Sequence, residues 1–340
     1  GVSDLQNRVL RVTDRERFQD DALRVYRAVQ FAGRFNFTID PESFRLMREM
    51  GEDGMLDRLS RERITEEIKK LMLKSPKPSV GFELLRELGI IERDYPELHA
   101  LIGMPQESEW HPEGDVWIHT MMVVDQAAKI VRQTFKNPND RLSVLMGALC
   151  HDLGKPATTK LGEKDGIQRI RSLGHEEAGL APAGRLLDRW MFGEDIKRAC
   201  FAITEQHLKP NVWWREVQKG KLTAASYANA IRKLIKKIHP VPWQILLVAT
   251  EADHRGRGIP GVDTEPYEEG RFFAEIVAKE ELDKEPTKPL VRGEDLIARG
   301  LKPGKRFGEL INGVEAARDR GEVRTREEAL THLDALLQQT

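Results

Sequence analysis

Apolar residues recur along this chain at helical rather than alternating spacing. Through residues 18–35, 44–50, 64–73 and 82–88 they fall on one face of successive short helices, with Pro41, Pro76, Pro78 and Gly89 as punctuation. Ser60 before Arg61-Glu62, in a run that ends at Lys74, predicts an N-capped helix with an acidic first turn and a basic last turn, as the helix dipole favours. The break at Ser75-Pro76-Lys77-Pro78 marks a first module boundary.

Three later stretches are apolar almost all round. Residues 115–132 carry Val116, Trp117, Ile118, Met121, Met122, Val123, Val124 and Val131, which leaves almost no polar face and predicts a helix central to a core. Residues 142–149 and 243–249 read the same way, and the last leads through Glu251-Ala252-Asp253 into a charged, turn-rich loop predicted at residues 254–258. Each of these helices thus carries a charged or ligating residue. Beyond them, a helix over 271–281, a linker from Lys284 to Pro289, and helices at 295–299, 307–318 and from Arg326 read as a small helical tail. One turn or hairpin is predicted, at 162–171. The expected fold class is all-α.

Length and composition narrow this. A chain of 340 residues exceeds one simple bundle, so two or three packed helical modules are expected. With 54 Lys+Arg against 55 Asp+Glu, net charge −1, any nucleic-acid contact must come from local patches. Lys69-Lys70-Lys74-Lys77 and Arg232-Lys233-Lys236-Lys237 are such patches, and each reads equally as a solvated helix face. Cys150 and Cys200 sit in apolar helical stretches at no disulfide or metal-site spacing and are read as buried thiols, which suits a reducing cytoplasm. No apolar run approaches the ~18 residues of a membrane span. The start, Gly1-Val2-Ser3-Asp4, is unlike a signal peptide, so a soluble cytoplasmic protein with no membrane partner is expected. Without an initial Met, the sequence reads as the continuation of a longer one.

Asp152 and Asp253 stand at apolar helices, where a carboxylate is costly unless it is paired, hydrogen-bonded or bound to a cation. His151-Asp152, released by Gly154, can point two ligands into one cavity, and His119 can supply a third. Imidazole and carboxylate together suit Zn, Mn, Fe, Ni or Co, and such a metal supplies Lewis acidity and an activated water for hydrolysis. Lys155 is placed to neutralise a phosphate. Taken singly, each residue has a plainer reading: His119 as a hydrogen-bonded core histidine, Asp152 and Asp253 as caps or partners of Arg255 and Arg257.

The ordered set His119, His151-Asp152, Asp253 resembles the H...HD...D signature of the HD phosphohydrolase superfamily. His175 and His207 fall where binuclear members place further ligands, and stand as candidates for a second metal, for substrate phosphate, or for packing and capping. The surrounding residues, Ile118-His119-Thr120, Leu149 to Lys155, Gly174-His175 with Gly179, and Glu251-Ala252-Asp253 with Arg255-Gly256, are similar to the HD domain of bacterial multifunctional tRNA nucleotidyltransferases, the CCA-adding enzymes. The N-terminal part agrees. Asp20-Asp21-Ala22-Leu23-Arg24 with Arg27 resembles that family's nucleotide-selecting motif, with Asp20 where Glu is usual and Ala22 where Pro is common; Arg63 and Glu67 fit the motif that follows.

The resemblance implies neck and body helices over 1–75, connecting helices over 76–105, an HD phosphohydrolase domain over 106–282 and a tail over 283–340. It implies base reading of CTP or ATP by Asp21 and Arg24, with Arg27 beside them, and tRNA 3′ ends and nucleotides as partners. It further implies hydrolysis of 2′,3′-cyclic phosphates, 2′-nucleotides or other phosphomonoesters at a nickel, magnesium or manganese centre. The metal ligands would be His119, His151, Asp152 and Asp253, joined by His175 and His207 in a two-metal site, with Asp152, Lys155 and Arg255 as catalytic groups. The family's head domain, which holds Mg for nucleotidyl transfer, has no counterpart in these residues, so this chain alone is not expected to add CCA. Oligomeric state is left open.

Overall fold

The computed structural model describes residues 1–164, 166–282, 289–323 and 325–338. Helices dominate among them, and the strands form two small two-stranded sheets, so the fold is all-α. The N-terminal periodic runs become helices Leu23–Phe35, Pro41–Glu52, Arg61–Lys74 and Ser79–Glu87. The first run is broken. Helix Arg15–Gln19, capped by Asp14, stops before Asp20, and a new helix begins at Leu23. Ser60 does occupy the N-cap of Arg61–Lys74, but its side chain makes no capping hydrogen bond. A two-residue parallel pairing of Val9–Leu10 with Thr38–Ile39 carries too short a signal for periodicity to reveal.

The chain forms two compact units, Gly1–Arg215 with Pro240–Arg271, and Glu216–His239 with Phe272–Thr340. The Ser75-to-Pro78 break falls inside the first. The second unit contains helices Ala224–Ile238, Lys305–Asp319 and Arg326–Gln338. Val291, Leu296, Leu310, Val314 and Leu333 meet in one of its apolar clusters. The predicted linker lies outside the described residues from Lys284 to Lys288.

In the first unit, helices Val116–Thr134, Pro138–Cys150, Glu194–Gln206 and Trp243–Arg255 pack on one another. Val123, Val124, Leu145, Leu149, Ile203 and Leu246 are among the side chains fully or almost fully buried there. Each such burial contributes roughly 1.5–3 kcal/mol, enough together to hold costly polar groups at the helix ends. Cys150 and Cys200 are free thiols within this core. The hairpin pairs Thr159–Lys164 with Ile167–Ser172 in antiparallel register, longer than its turn residues alone suggest. Among the described residues no helix is long and apolar enough to cross a membrane.

Candidate metal centre

The four residues singled out from separate apolar helices converge. His119 lies within Val116–Thr134, His151 and Asp152 follow Pro138–Cys150, and Asp253 lies within Trp243–Arg255; all four are buried. His119 Nε2 is 3.2 Å from Asp253 Oδ1, 3.6 Å from Asp152 Oδ2 and 3.4 Å from His151 Nε2. His151 Nε2 is 3.2 Å from Asp152 Oδ2. His175, opening the short helix His175–Ala178, and His207, just past Glu194–Gln206, join the same cluster. His175 Nε2 is 3.3 Å from Asp152 Oδ1 and 3.4 Å from His207 Nε2. Asp152 therefore turns one oxygen to each pair of histidines.

Two glycines let these elements approach. A Cβ on Gly154 would lie 2.0 Å from the carbonyl oxygen of His175 and 2.5 Å from the nitrogen of Gly179, so the His-Asp segment touches the His175 turn backbone to backbone. A Cβ on Gly256 would lie 2.5 Å from Val123 Cγ2 and 2.9 Å from its Cα, which brings the end of the Asp253 helix against the His119 helix one turn beyond His119.

Hydrogen bonds set which way the imidazoles face. The Nδ1 atoms of His151, His175 and His207 lie 2.7, 2.7 and 3.0 Å from the carbonyl oxygens of Ala148, Ser172 and Thr204. His119 Nδ1 lies 2.7 Å from Glu113 Oε1. A carbonyl can only accept, so Nδ1 carries the proton in the rings of His151, His175 and His207, and Nε2 is the atom each turns inward. These nitrogens converge on one buried carboxylate, and neither oxygen of Asp152 has a hydrogen bond of normal geometry, although Lys155 Nζ lies 2.7 Å from Oδ2. Such a set is suited to binding a cation. Two ligand groups, His119-His151-Asp152 and Asp152-His175-His207, are each tight enough to hold a metal ion, so the residues present fit the metal the HD signature implies.

The electrostatics agree. Burial pushes the carboxyls of Asp152 and Asp253 up, but this is outweighed, by His151 and Lys155 for the first and by His119 and Arg257 for the second, so both lie well below the usual range. His207, pushed down to about 3 by burial and by His151, is a neutral ligand at physiological pH. Burial lowers His119, but Asp253 and Glu113 overcome it and raise the ring.

A cavity of about 290 Å³ opens onto Asp152, His175, His207 and Asp253, with Lys155 and Arg257 in its wall. Lys155 Nζ also donates to Gln106 Oε1 at 2.6 Å. Arg255, expected to help bind phosphate, is turned away: it donates to Glu251 at 2.8 Å and to the carbonyls of Glu265 and Val262. The reason is that the helix continues through Arg255, which pairs Arg255 with Glu251 one turn back. Arg257, beyond Gly256, instead faces the site, with Nη2 3.9 Å from Asp253 Oδ2. Glu113 also escaped notice. Its Oε1 accepts from His111 at 2.9 Å and from His119 at 2.7 Å; burial opposes ionisation, but these bonds bring its carboxyl down to about 2.

The N-terminal motif residues make a different arrangement. Arg63 Nη2 donates to both oxygens of Asp21, at 2.8 and 3.1 Å, and Arg27 Nε lies 3.6 Å from the buried Glu67. The two motifs are thus tied by ion pairs across helices, rather than by charge pairs within one helix. Burial raises the Asp21 carboxyl, but Arg63 and the Leu23 N–H lower it further. Arg24 and Arg27 line a cavity of about 600 Å³ with Arg11, Arg17, Phe18 and Phe31; Asp21, held by Arg63, is not in its wall.

Comparison with known proteins gives these sites a context. Residues 36–102 match the family described as a probable RNA and SrmB-binding site of polymerase A, and residues 116–234 match the HD domain. The multifunctional CCA protein of Acinetobacter baumannii (strain AYE) is 32% identical over 288 residues, 82% of this chain and 62% of that protein. The multifunctional CCA protein of Actinobacillus pleuropneumoniae serotype 5b (strain L20) is 35% identical over 283 residues, 82% of this chain and 64% of that protein. The chain thus spans a little under two thirds of the length of these relatives. Among solved structures, the Bacillus stearothermophilus CCA-adding enzyme in complex with CTP superposes with TM-score 0.61 at 17% identity, covering 99% of this chain and 67% of that one. A CCA-adding enzyme in complex with CTP gives TM-score 0.53 at 18% identity, covering 99% and 65%. At such identities the likeness is one of fold. With both domain matches and this homology in hand, the chain carries a polymerase-A-type RNA-binding region and an HD domain and is homologous to the multifunctional CCA proteins.

Proposed function

We propose that the His/Asp centre is a two-metal phosphohydrolase site acting on 2′,3′-cyclic phosphates, 2′-nucleotides or related phosphomonoesters. The observation that carries this reading is the set of Nε2 atoms turned inward around an Asp152 carboxylate that lacks normal hydrogen bonds. His119, His151, Asp152 and Asp253 would hold one ion, and Asp152, His175 and His207 the other. Divalent metal, with nickel, magnesium or manganese as candidates, supplies Lewis acidity and activates water when bound. The chain's own residues do the rest. Lys155 and Arg257 flank the cavity and offset charge on a phosphate, Glu113 fixes the His119 ring, and the apolar helices keep bulk water from the cluster.

In the same reading the cavity beside Arg24 and Arg27 takes a nucleotide, its phosphates meeting the arginines, while Asp21 stays paired with Arg63 outside the wall. The role proposed for the whole protein is tRNA 3′-end maturation and repair in the cytoplasm, with tRNA as partner. Its curated relatives are named CCA proteins, and one neighbour of similar fold, from Thermotoga maritima, was solved with tRNA (TM-score 0.50).

The direct assay strips metal from the purified chain, restores nickel, manganese, magnesium or zinc, and follows hydrolysis of 2′,3′-cyclic AMP and p-nitrophenyl phosphate beside Asp152→Ala. Metal-dependent turnover that disappears in the variant is expected. A folded wild-type chain with no turnover under any metal would overturn the proposal.

A further inference from the structure

We infer that Trp110 determines specificity at the His/Asp centre by stacking on a nucleobase, so that the cavity selects nucleoside phosphates over phosphate esters that lack a ring. The inference rests on the proposed hydrolytic reading of that centre and names the residue that would choose its substrate.

Trp110 is 43% exposed, in a loop rather than in any helix of the core. Its indole shares the cavity wall with Asp152, His175 and Lys155. Besides the polar cluster, the cavity wall carries three large apolar side chains, Trp110, Ile170 and Leu173, the last 61% exposed. A ligand matching it carries an anionic group at one end and a flat apolar ring at the other. Phosphate alone satisfies only the cluster. A volume of about 290 Å³ suits one small ligand.

The platform is also fixed in place. The Trp110 N–H donates to the Glu107 carbonyl, and the Glu107 carboxylate accepts from the Ile170 N–H at 3.0 Å, which ties the loop to the hairpin. The next residue, His111, shares Glu113 Oε1 with His119, and Asp115 accepts from the N–H groups of Gly103 and Ile118 at 2.7 and 2.9 Å. The loop backbone that carries Trp110 is thereby anchored, which reduces the ordering that opposes binding. Stacking suits the role because every base has a π-face, so the platform would favour nucleotides as a class with small preference among bases.

The test measures, by calorimetry on the metal-loaded full chain, the binding of a non-hydrolysable phosphonate analogue of adenosine 2′-monophosphate and of inorganic phosphate to wild type, Trp110→Ala and Trp110→Phe. Asp152→Ala, run in parallel, subtracts nucleotide held between Arg24 and Arg27. Trp110→Ala is expected to weaken the nucleotide on the order of tenfold and to leave phosphate unchanged, with Trp110→Phe recovering most of the loss. Equal weakening of both ligands, no change in either, or no nucleotide binding by the wild-type centre overturns the inference. Melting curves check folding, and Trp110→Leu serves if the alanine variant unfolds. Because binding is read without turnover, an inactive centre that still shows the Trp110 effect would count against hydrolysis alone.

Discussion

The region around Asp21 and the region around Asp152 both gather charged side chains, yet they solve opposite problems. Near Asp21 the two less exposed motif carboxylates have cations: Asp21 has Arg63, Glu67 has Arg27 and Lys70. Those cations are about half exposed, so the network is complete with water alone. Around Asp152 the groups are buried, and beyond the carboxylates that Lys155 and Arg257 approach there are four imidazole nitrogens turned inward, with Nε2 facing Nε2 at 3.4 Å in two places. A charge network closed by its own cations can be a scaffold, whereas surplus inward-facing nitrogens around a buried carboxylate suit a bound cation.

Breaking the Asp152 region should therefore have the larger consequences. Asp152→Asn removes the charge that serves both groups of histidines, and loss of retained metal and of phosphohydrolysis together is expected, read by elemental analysis and by the cyclic-nucleotide assay. Gly154→Ala comes next. The added methyl collides with the His175 carbonyl, and overpacking of this kind costs about 1–3 kcal/mol, so denaturant melts should shift while His175 and His207 lose their ion.

Glu113→Gln keeps the shape but removes the charge behind His119. Metal affinity should fall roughly 10- to 100-fold, the usual effect of losing an outer partner of a ligating histidine. The pH dependence has a definite sign. Glu113 is held at about 2, below its ordinary 4.5, so its contribution to stability is complete above pH 4.5 and is lost as pH falls toward 2. In metal-free protein the stability gap between wild type and Glu113→Gln should be constant near neutrality and close across that window. The smallest effect belongs to the Asp21 region. A double-mutant cycle with Asp21→Ala and Arg63→Ala should give a coupling of about 0.2–1 kcal/mol, as for other solvent-reached ion pairs.

Sequence carried a large part of this picture, for identifiable reasons. His119 and Asp253 stood out within apolar helices and His151 at the end of one, and the resemblance of the ordered set to the HD signature joined them into one site. Helix ends were less legible. The loop predicted from His254 begins two residues later, and that extension pairs Arg255 with Glu251 and leaves Arg257 at the site. Glu113 left no signal because a carboxylate in the irregular segment His111-Pro112-Glu113-Gly114 resembles any exposed loop acid until the fold places His119 beside it. The Asp21 to Arg63 pairing joins the turn before helix Leu23–Phe35 to helix Arg61–Lys74, far apart in the chain, and no local pattern encodes it.

The central claim is that the cluster around Asp152 exists to hold divalent metal. Its most direct test is the metal stoichiometry of the full chain after equilibrium dialysis against manganese or nickel, measured for wild type, His175→Ala/His207→Ala and Asp152→Asn. The account predicts two ions per wild-type chain, one in the double histidine variant and none in Asp152→Asn. A folded wild-type chain that retains no ion, or an Asp152→Asn chain that retains as many as wild type, would contradict it.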